Sequence, residues 1–501
     1  MIDRSLFTRT AAPPVIGKQR QLFLDDFLID EMSGLTRTIH QPVKRGPLLT
    51  PDSEAGEIAL QSRSVPQWNS EKKLWEWWYW AGGACEPYGP YKSTQLSLTQ
   101  YLTSTDGVEW HKPSLGLYEW NGSKDNNVAM DPAMGHRALY HCIREERDAD
   151  PARRYKALMG HHNRKPMVSA DGFDWRPLEV DDIPSSDESH FFYDESQRRF
   201  VGMVKRGTVW GRSVFYVSTA DFIEWREHGI VLHADDIDWA NRLPRVLAAA
   251  ADERYLSPPL IDEEDYIAET YQMAVMPYEG IYVGFPGIFN PAGAIPPPQM
   301  NHTGLNQTEL AMSRDLLHWR RLCDRQVFLG ISPWQADDGS VNWDTAQLLP
   351  CGHPLVMGDE IYIYYNACRF RGHKEVYPEK CRPYFNALSA LALATLRLDG
   401  FVSLDGDARG ELRTRPVTLE GESLRVNVDA ARGRVRVAIL DAETLKPLEG
   451  HALDDCDGVT SDDLRAAVTW RGTATLSPTA RRRPVRLKFA IGGASLYAIW
   501  T

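Results

Sequence analysis

The sequence repeats one strand-and-turn pattern: TSTDGVEW at 103–110, VSADGFDW at 168–175, VSTADFIEW at 217–225, AMSRDLLHW at 311–319 and, in degenerate form, ATLRLDGFVSL at 394–404. Each copy has a β-prone run, an aspartate in a turn, and an aromatic or apolar residue that anchors the turn. A turn aspartate of this kind usually accepts hydrogen bonds from the backbone of its own turn. Because the pattern recurs about five times, it predicts a repeat architecture.

A second regular feature lies upstream of each copy. A polar turn leads into an aromatic-rich β run, and five such runs occur: LWEWWYWAG (74–82), RYKALMGHH (154–162), RFVGMVKRG (199–207), IYVGFPGIF (281–289) and IYIYYNACRF (361–370). Each unit would then hold an inner strand, a hairpin, a second strand, a third strand and a short outer strand. Four antiparallel strands in each of five units predict an all-β fold with a five-bladed β-propeller over residues 51–407.

The chain on either side of these repeats has its own β patterns. Residues 1–50 are expected to form a lead-in, in which QLFLDDFLID at 21–30 is an edge strand that enters or closes the first blade. Residues 408–501 contain alternating runs such as SLRVNVDA (423–430) and VRLKFAI (485–491), separated by turn residues. Such alternation predicts a small C-terminal β-sandwich.

Composition limits the classes of function that need to be considered. The formal net charge of −12 over 501 residues argues against binding of nucleic acid or of an anionic membrane. The seven cysteines form no CxxC pair, so neither a zinc site nor a disulfide framework is expected. Residues 1–20 lack the apolar core of a signal peptide, and no apolar run approaches the ~20 residues of a membrane span. We therefore expect a cytoplasmic protein without metal or cofactor.

The repeat motifs resemble those of a known group of enzymes. The copies at 217–225 and 311–319 resemble the third-strand motif of the five-bladed glycoside hydrolases of families 32, 43 and 68 and of the related mannoside phosphorylases. The segments LFLDDFLID, NGSKDNN (121–127) and HALDDCDG (451–458) resemble a bacterial family-32-like group in which a small β-sandwich follows the propeller. The resemblance implies glycosyl transfer to water by two carboxyl groups, one a general acid and the other a base or nucleophile.

In a propeller the active face lies where the innermost strand of each blade begins, and this rule selects the candidate residues. The predicted catalytic carboxylates are Glu57, Asp187, Glu269 and Asp344. The predicted substrate-binding residues are Arg63, His136, Arg137, His190 and Trp343. The chain departs from the best-known members, which carry an Asp, an Arg-Asp-Pro and a Glu-Cys in blades 1 to 3. That departure leaves a glycoside other than a β-fructoside, a different acid placement or lost catalysis open.

The residues are compatible with more than one function. An intracellular glycosidase that cleaves a small saccharide fits the ring of carboxylates, and the 16 Trp and 20 Tyr suit sugar binding or blade packing. A glycoside phosphorylase would need a phosphate site, which Arg63, Arg137 and Arg245 could supply. A non-catalytic carbohydrate-binding propeller is the other alternative, and a sialidase fits the turn motif less well. A homo-oligomer is compatible with each of them.

Overall fold

The computed structural model describes residues 12–82, 98–132, 139–262, 266–296 and 301–501. Strands account for 47% and helices for 8% of the chain, which confirms the predicted all-β class. The chain divides into two compact units. The smaller unit comprises residues 1–41, 358–360 and 396–501, and the larger comprises residues 42–357 and 361–395. No helix in the described ranges has both the length and the apolar character required to cross a bilayer.

In chain order the strands are β1 (Val15–Ile16), β2 (Gln21–Leu22), β3 (Ile29–Ser33), β4 (Thr36–Ile39), β5 (Val43–Leu49), β6 (Ala59–Gln61), β7 (Gln67–Asn69), β8 (Leu74–Gly82), β9 (Leu98–Ser104), β10 (Leu139–Arg144), β11 (Tyr155–Met159), β12 (Lys165–Ser169), β13 (Arg176–Pro177), β14 (Ser189–Asp194), β15 (Arg199–Thr208), β16 (Gly211–Thr219), β17 (Arg226–Leu232), β18 (Glu269–Tyr278), β19 (Ile281–Ala294), β20 (His302–Thr308), β21 (Ala311–Ser313), β22 (Arg320–Arg321), β23 (Gln347–Pro350), β24 (Leu355–Met357), β25 (Glu360–Cys368), β26 (Ser389–Arg397), β27 (Val402–Gly406), β28 (Gly410–Thr414), β29 (Thr418–Leu419), β30 (Arg425–Asp429), β31 (Arg434–Asp441), β32 (Asp462–Ala467), β33 (Val485–Gly492) and β34 (Ala494–Trp500). The α-helices are α1 (Asp236–Ala251) and α2 (Pro478–Arg482). Short 3-10 helices span Pro151–Arg153, Cys323–Arg325, Lys374–Val376 and Glu379–Asn386.

The larger unit is built from antiparallel groups of the predicted kind. Strands β10 to β13 and strands β14 to β17 form two separate four-stranded sheets in which each strand pairs with the next along the chain. The aromatic-rich runs are confirmed as second strands, for example β8 and β15. In β15 the six residues from Phe200 to Lys205 are all buried, so side chains on both faces pack against neighbouring sheets.

Three further groups are joined into one 14-stranded sheet. They comprise β6 to β9, β18 to β22, and β23 to β26, and two parallel contacts connect them: Asn306 with Gln347 and Ser389 with Ala59. The last group takes its outer strand from the start of the unit, because β5 pairs antiparallel with β26 from Val43–Thr395 to Leu49–Leu391. The chain segment that precedes all the repeats thus completes the final one.

The turn aspartates behave as predicted in four of the five copies. Asp106, Asp171, Asp221 and Asp315 each accept backbone N–H groups from the residues two and three positions later, at 2.8–3.0 Å. The fifth, Asp399, is fully buried, pairs with Arg20 at 3.0 Å and accepts a hydrogen bond from Asn427. The degenerate copy therefore uses its aspartate to hold the smaller unit together.

The smaller unit contains a six-stranded sheet, in the order β32-β30-β34-β27-β4 with β2 on β34, and a four-stranded sheet, β3-β28-β33-β31. The prediction that residues 21–30 form an edge strand of the first repeat is wrong. Within that segment β2 pairs with β34, and β3 begins at Ile29 and pairs with β28. The physical reason is that Phe23 and Leu28 are buried in the apolar core of this unit. The N-terminal residues therefore group with the C-terminal ones, unlike the expected division at 1–50, 51–407 and 408–501.

Candidate active site

The loop that precedes β14 presents two adjacent acids and is fixed by one buried arginine. Arg164, fully buried, donates from Nη2 to the carbonyls of Ser186 and Asp187 at 2.8 Å each, and from Nε to Ser189 Oγ at 2.9 Å. Its Nη1 donates to three further carbonyls, those of Gly160, His161 and Asn163. Burial lowers the pKa of Arg164 to about 10, so the guanidinium remains charged at neutral pH.

Glu188 is buried and engaged by a two-pronged contact with Arg63. Burial alone would lower the pKa of Arg63, but the charge and hydrogen bonds of Glu188 outweigh that effect and raise it. The guanidinium also lies 5.1 Å from the centroid of the Trp80 ring. Arg63, predicted to bind substrate, is thus occupied by Glu188 and joins the first and third repeats.

Asp187 remains accessible, with 34% of its side chain exposed, and pairs with the buried Lys205 of β15. Its partial burial acts to raise the pKa of the carboxyl group. The charge and hydrogen bond of Lys205, helped by His161 and Arg63, outweigh burial and hold that pKa far below the ordinary range. Lys205 therefore holds Asp187 in its carboxylate form at neutral pH.

A second carboxylate lies at the start of β18 in the neighbouring sheet. Glu269 accepts the backbone N–H of Arg212 at 3.0 Å and also pairs with the Arg212 guanidinium. Tyr271 connects this pair to the Asp187–Lys205 pair. Lys205 Nζ lies 3.9 Å and Arg212 Cζ 5.3 Å from the centroid of its ring. The contacts Asp187–Lys205–Tyr271–Arg212–Glu269 form one continuous cluster, which we call the Tyr271 cluster.

Arg371, which follows β25, extends the Tyr271 cluster. Its Cζ lies 3.9 Å from the Phe289 ring centroid and 5.2 Å from that of Tyr271. Its nitrogens donate to the His302 carbonyl at 3.1 Å, to Gln347 Oε1 at 2.7 Å and to Asn301 Oδ1 at 3.3 Å. The guanidinium is therefore held at the edge of the candidate site by neutral oxygens.

Sequence reasoning missed Lys205, Arg212, Tyr271 and Arg371. A signal for two of them existed, because Lys205 lies near the end of a second strand and Arg371 just past another. In an antiparallel hairpin the second strand ends beside the start of the first. Basic residues at those ends therefore lie on the same face as the acids that begin the inner strands.

The other two predicted carboxylates have different partners. Glu57 is buried, accepts the Asp52 N–H at 2.9 Å and pairs with Lys112 at 3.3 Å. Asp344 is buried against Lys44 Nζ at 2.7 Å and the Tyr365 hydroxyl at 3.1 Å. Within the described part of the chain, no hydrogen bond or ion pair joins either of them to Asp187 or Glu269.

The predicted substrate-binding residues His190 and Trp343 also have separate packing partners. His190 is 3% exposed, accepts the Val275 N–H on Nδ1 at 3.1 Å and stacks on Phe192, so it contributes to packing between sheets. One face of Trp343 is covered by the Arg369 guanidinium, whose Cζ lies 3.5 Å from the ring centroid. His136 and Arg137 lie outside the described residues.

A half-buried histidine that packs against His190 predicts a pH dependence of stability. Burial lowers the pKa of His353 from 6.5 to about 4. Between these values the unfolded chain binds a proton that the folded chain does not, so stability falls as the pH drops from 7 to 5. We expect this ring to contribute about 2 kcal/mol of that loss, and His353→Gln to reduce it by that amount. Urea unfolding at both pH values measures the difference. An equal loss of unfolding free energy between pH 7 and pH 5 in the two proteins would contradict the assignment.

No protein-family model and no curated protein matches the chain. A GH32 beta-fructofuranosidase of Bombyx mori aligns with 90% of this chain and 93% of its own, at 10% identity and a TM-score of 0.39. The catalytic domain of the Coprinopsis cinerea GH62 alpha-L-arabinofuranosidase aligns with 71% of this chain and 97% of its own, at 12% identity and a TM-score of 0.38. Both of these solved structures are glycoside hydrolases by name.

Proposed function

We propose that the protein is a glycoside hydrolase that cleaves a small saccharide, with Asp187 and Glu269 as its two working carboxylates. The observation that carries the proposal is the Tyr271 cluster, in which acids from two adjacent sheets lie within one network of contacts. Paired carboxylates are the groups that glycoside hydrolysis requires. The cytoplasmic location expected from the sequence would make the substrate an imported saccharide.

The roles of the two acids follow from their surroundings. Asp187 is ionised in the resting site, so it would serve as base or nucleophile and would stabilise the positive charge that develops at the anomeric carbon. Glu269 would act as the general acid and donate a proton to the leaving glycosidic oxygen. Its partner Arg212 keeps 32% of its side chain exposed. A bound sugar can therefore draw this guanidinium away and leave Glu269 free to act on the leaving oxygen.

The same proposal includes the architecture. The five antiparallel groups of the larger unit would be the five blades of a propeller, with β5 as the outer strand of the last blade. The two sheets of the smaller unit, which share one apolar core, would form the β-sandwich. In this arrangement the candidate residues lie at one mouth, because inner strands begin there and second strands end there.

Hydrolysis of a panel of aryl glycosides and small oligosaccharides tests the proposal, with wild type compared with Glu269→Gln. We expect turnover of one sugar and a fall in kcat of about 100-fold or more in the variant, because Gln cannot carry the proton. The matched comparisons are Glu57→Gln and Asp344→Asn, checked for folding by circular dichroism. Because no hydrogen bond or ion pair joins these acids to Asp187 or Glu269 among the described residues, we expect both variants to keep kcat within a few-fold of wild type.

Three results would redirect the assignment. Loss of turnover in folded Asp344→Asn but not in Glu269→Gln would move the second carboxylate to Asp344. Turnover that requires inorganic phosphate would make the protein a phosphorylase. No turnover on any sugar, with saccharide binding detected by calorimetry, would make it a carbohydrate-binding protein.

A further inference from the structure

The charges of the candidate site do not balance. Three carboxylates each have a cationic partner, in the pairs Asp187–Lys205, Glu188–Arg63 and Glu269–Arg212. A fourth cation, Arg371, lies beside the same Tyr271 ring as Lys205 and Arg212. Among the residues that the structure describes, no carboxylate pairs with Arg371, so its positive charge has no matching negative charge.

The hydrogen-bonding capacity of Arg371 is also incompletely used. A guanidinium has five N–H donors, and Arg371 places three of them on neutral oxygens, one from each nitrogen. One N–H on Nη1 and one N–H on Nη2 therefore have no acceptor among the described residues. Arg164 provides the contrast, because its three nitrogens make six hydrogen bonds and leave no donor for a ligand.

A buried charge without a counterion is unfavourable, and Arg371 is only 6% exposed. The faces of Phe289 and Tyr271 compensate part of that cost through cation–π attraction. A ligand anion would compensate the remaining cost of the buried charge. A carboxylate fits better than a phosphate, because its two oxygens match the two remaining donors. Its single negative charge also equals the single positive charge of Arg371, whereas a phosphate group carries about −1.5 to −2.

We propose that the saccharide is acidic, a hexuronic acid or a similar sugar carboxylate, and that its carboxylate binds Arg371 beside Tyr271. The inference that such a sugar is cleaved rests on the proposed function, whereas the inference that it binds does not. Arg212 and Glu269 lie next to this position, and His302 is within electrostatic range of both of them and of Arg371. The acidic group would thus anchor the sugar ring against the two working carboxylates.

Isothermal titration calorimetry with glucuronate and galacturonate, against glucose, galactose and inorganic phosphate, tests the site. We expect a hexuronate to bind wild type more tightly than its neutral counterpart, and Arg371→Gln to weaken that binding by roughly 10- to 100-fold. The affinity of Arg371→Lys for hexuronate should lie between those of wild type and Arg371→Gln, because lysine keeps the charge but lacks the paired donors of a guanidinium. The matched control is Arg254→Gln, an exposed residue 74% accessible whose loss changes the net charge equally. It should leave binding unchanged.

Hexuronate binding that is no tighter than glucose binding, or that is unchanged in folded Arg371→Gln, would overturn the proposal. Binding of phosphate without hexuronate would do the same. If Arg371→Gln fails to fold, wild type must still prefer hexuronate over the uncharged hexuronamide. Hydrolysis of neutral glycosides without any hexuronate binding would refute this inference and leave the hydrolase intact. Arg371-dependent hexuronate binding without turnover would support the inference and contradict the hydrolase.

Discussion

Asp187→Asn is expected to lower kcat by about a thousandfold or more, equivalent to a barrier higher by at least ~4 kcal/mol. An amide of the same shape can neither accept a proton nor attack the anomeric carbon, and it carries no charge to stabilise an oxocarbenium-like state. The measurement is steady-state turnover of the substrate that the panel identifies. A folded Asp187→Asn protein with near-wild-type kcat would remove Asp187 from the chemistry.

The control for this experiment is built into the ion pair. Asn leaves the buried Lys205 without its counterion, so we expect the single variant to lose about 1–3 kcal/mol of stability. This is less than for a fully buried pair, because Asp187 is one-third exposed. The double variant Asp187→Asn/Lys205→Met removes both charges and should regain most of that stability without regaining turnover. Recovered turnover in the double variant would mean that the loss was structural.

Arg164→Met is expected to destabilise the larger unit by about 3–5 kcal/mol, because a fully buried guanidinium is removed and six acceptors lose their donor at once. Turnover should fall as well, since the released loop carries Asp187 and Glu188. Urea unfolding measures the first effect and kcat the second. The surface variant Arg254→Met, with the same loss of charge, should match wild type. An unchanged unfolding midpoint in Arg164→Met would show that other contacts hold the loop.

The parts of the fold that the sequence predicted are those governed by neighbours along the chain. The turn aspartate of DGVEW bonds the N–H groups two and three residues on, so residues 106–109 contain the whole interaction. The second strand β15 starts at Arg199, where the pattern places it, because the polar turn and the aromatic run are adjacent in sequence. Interactions of this range are visible in any window of about ten residues.

The parts that could not be predicted depend on contacts between distant segments. Asp344 lies three residues before the inner strand β23, yet Lys44, 300 positions away in sequence, pairs with it. Phe23 and Leu28 have the pattern of an edge strand, but nothing in that pattern states which core receives them. The Tyr271 cluster draws residues from three strands and one loop of two sheets, and no spacing rule links Lys205 to Tyr271 or Arg371 to Phe289.

The pairing of β5 with β26 sets a delay during synthesis. The ribosome makes β5 about 340 residues before its partner, a wait of roughly 20–70 s at usual elongation rates. The sheets β10–β13 and β14–β17 need only neighbouring strands and can form as they emerge. Throughout the wait β5 is an unpaired strand that could join another nascent chain. Its sequence VKRGPLL contains Lys44, Arg45 and Pro47, and charged residues and proline disfavour edge-to-edge pairing. These residues therefore protect β5 from pairing with other chains until β26 has been synthesised.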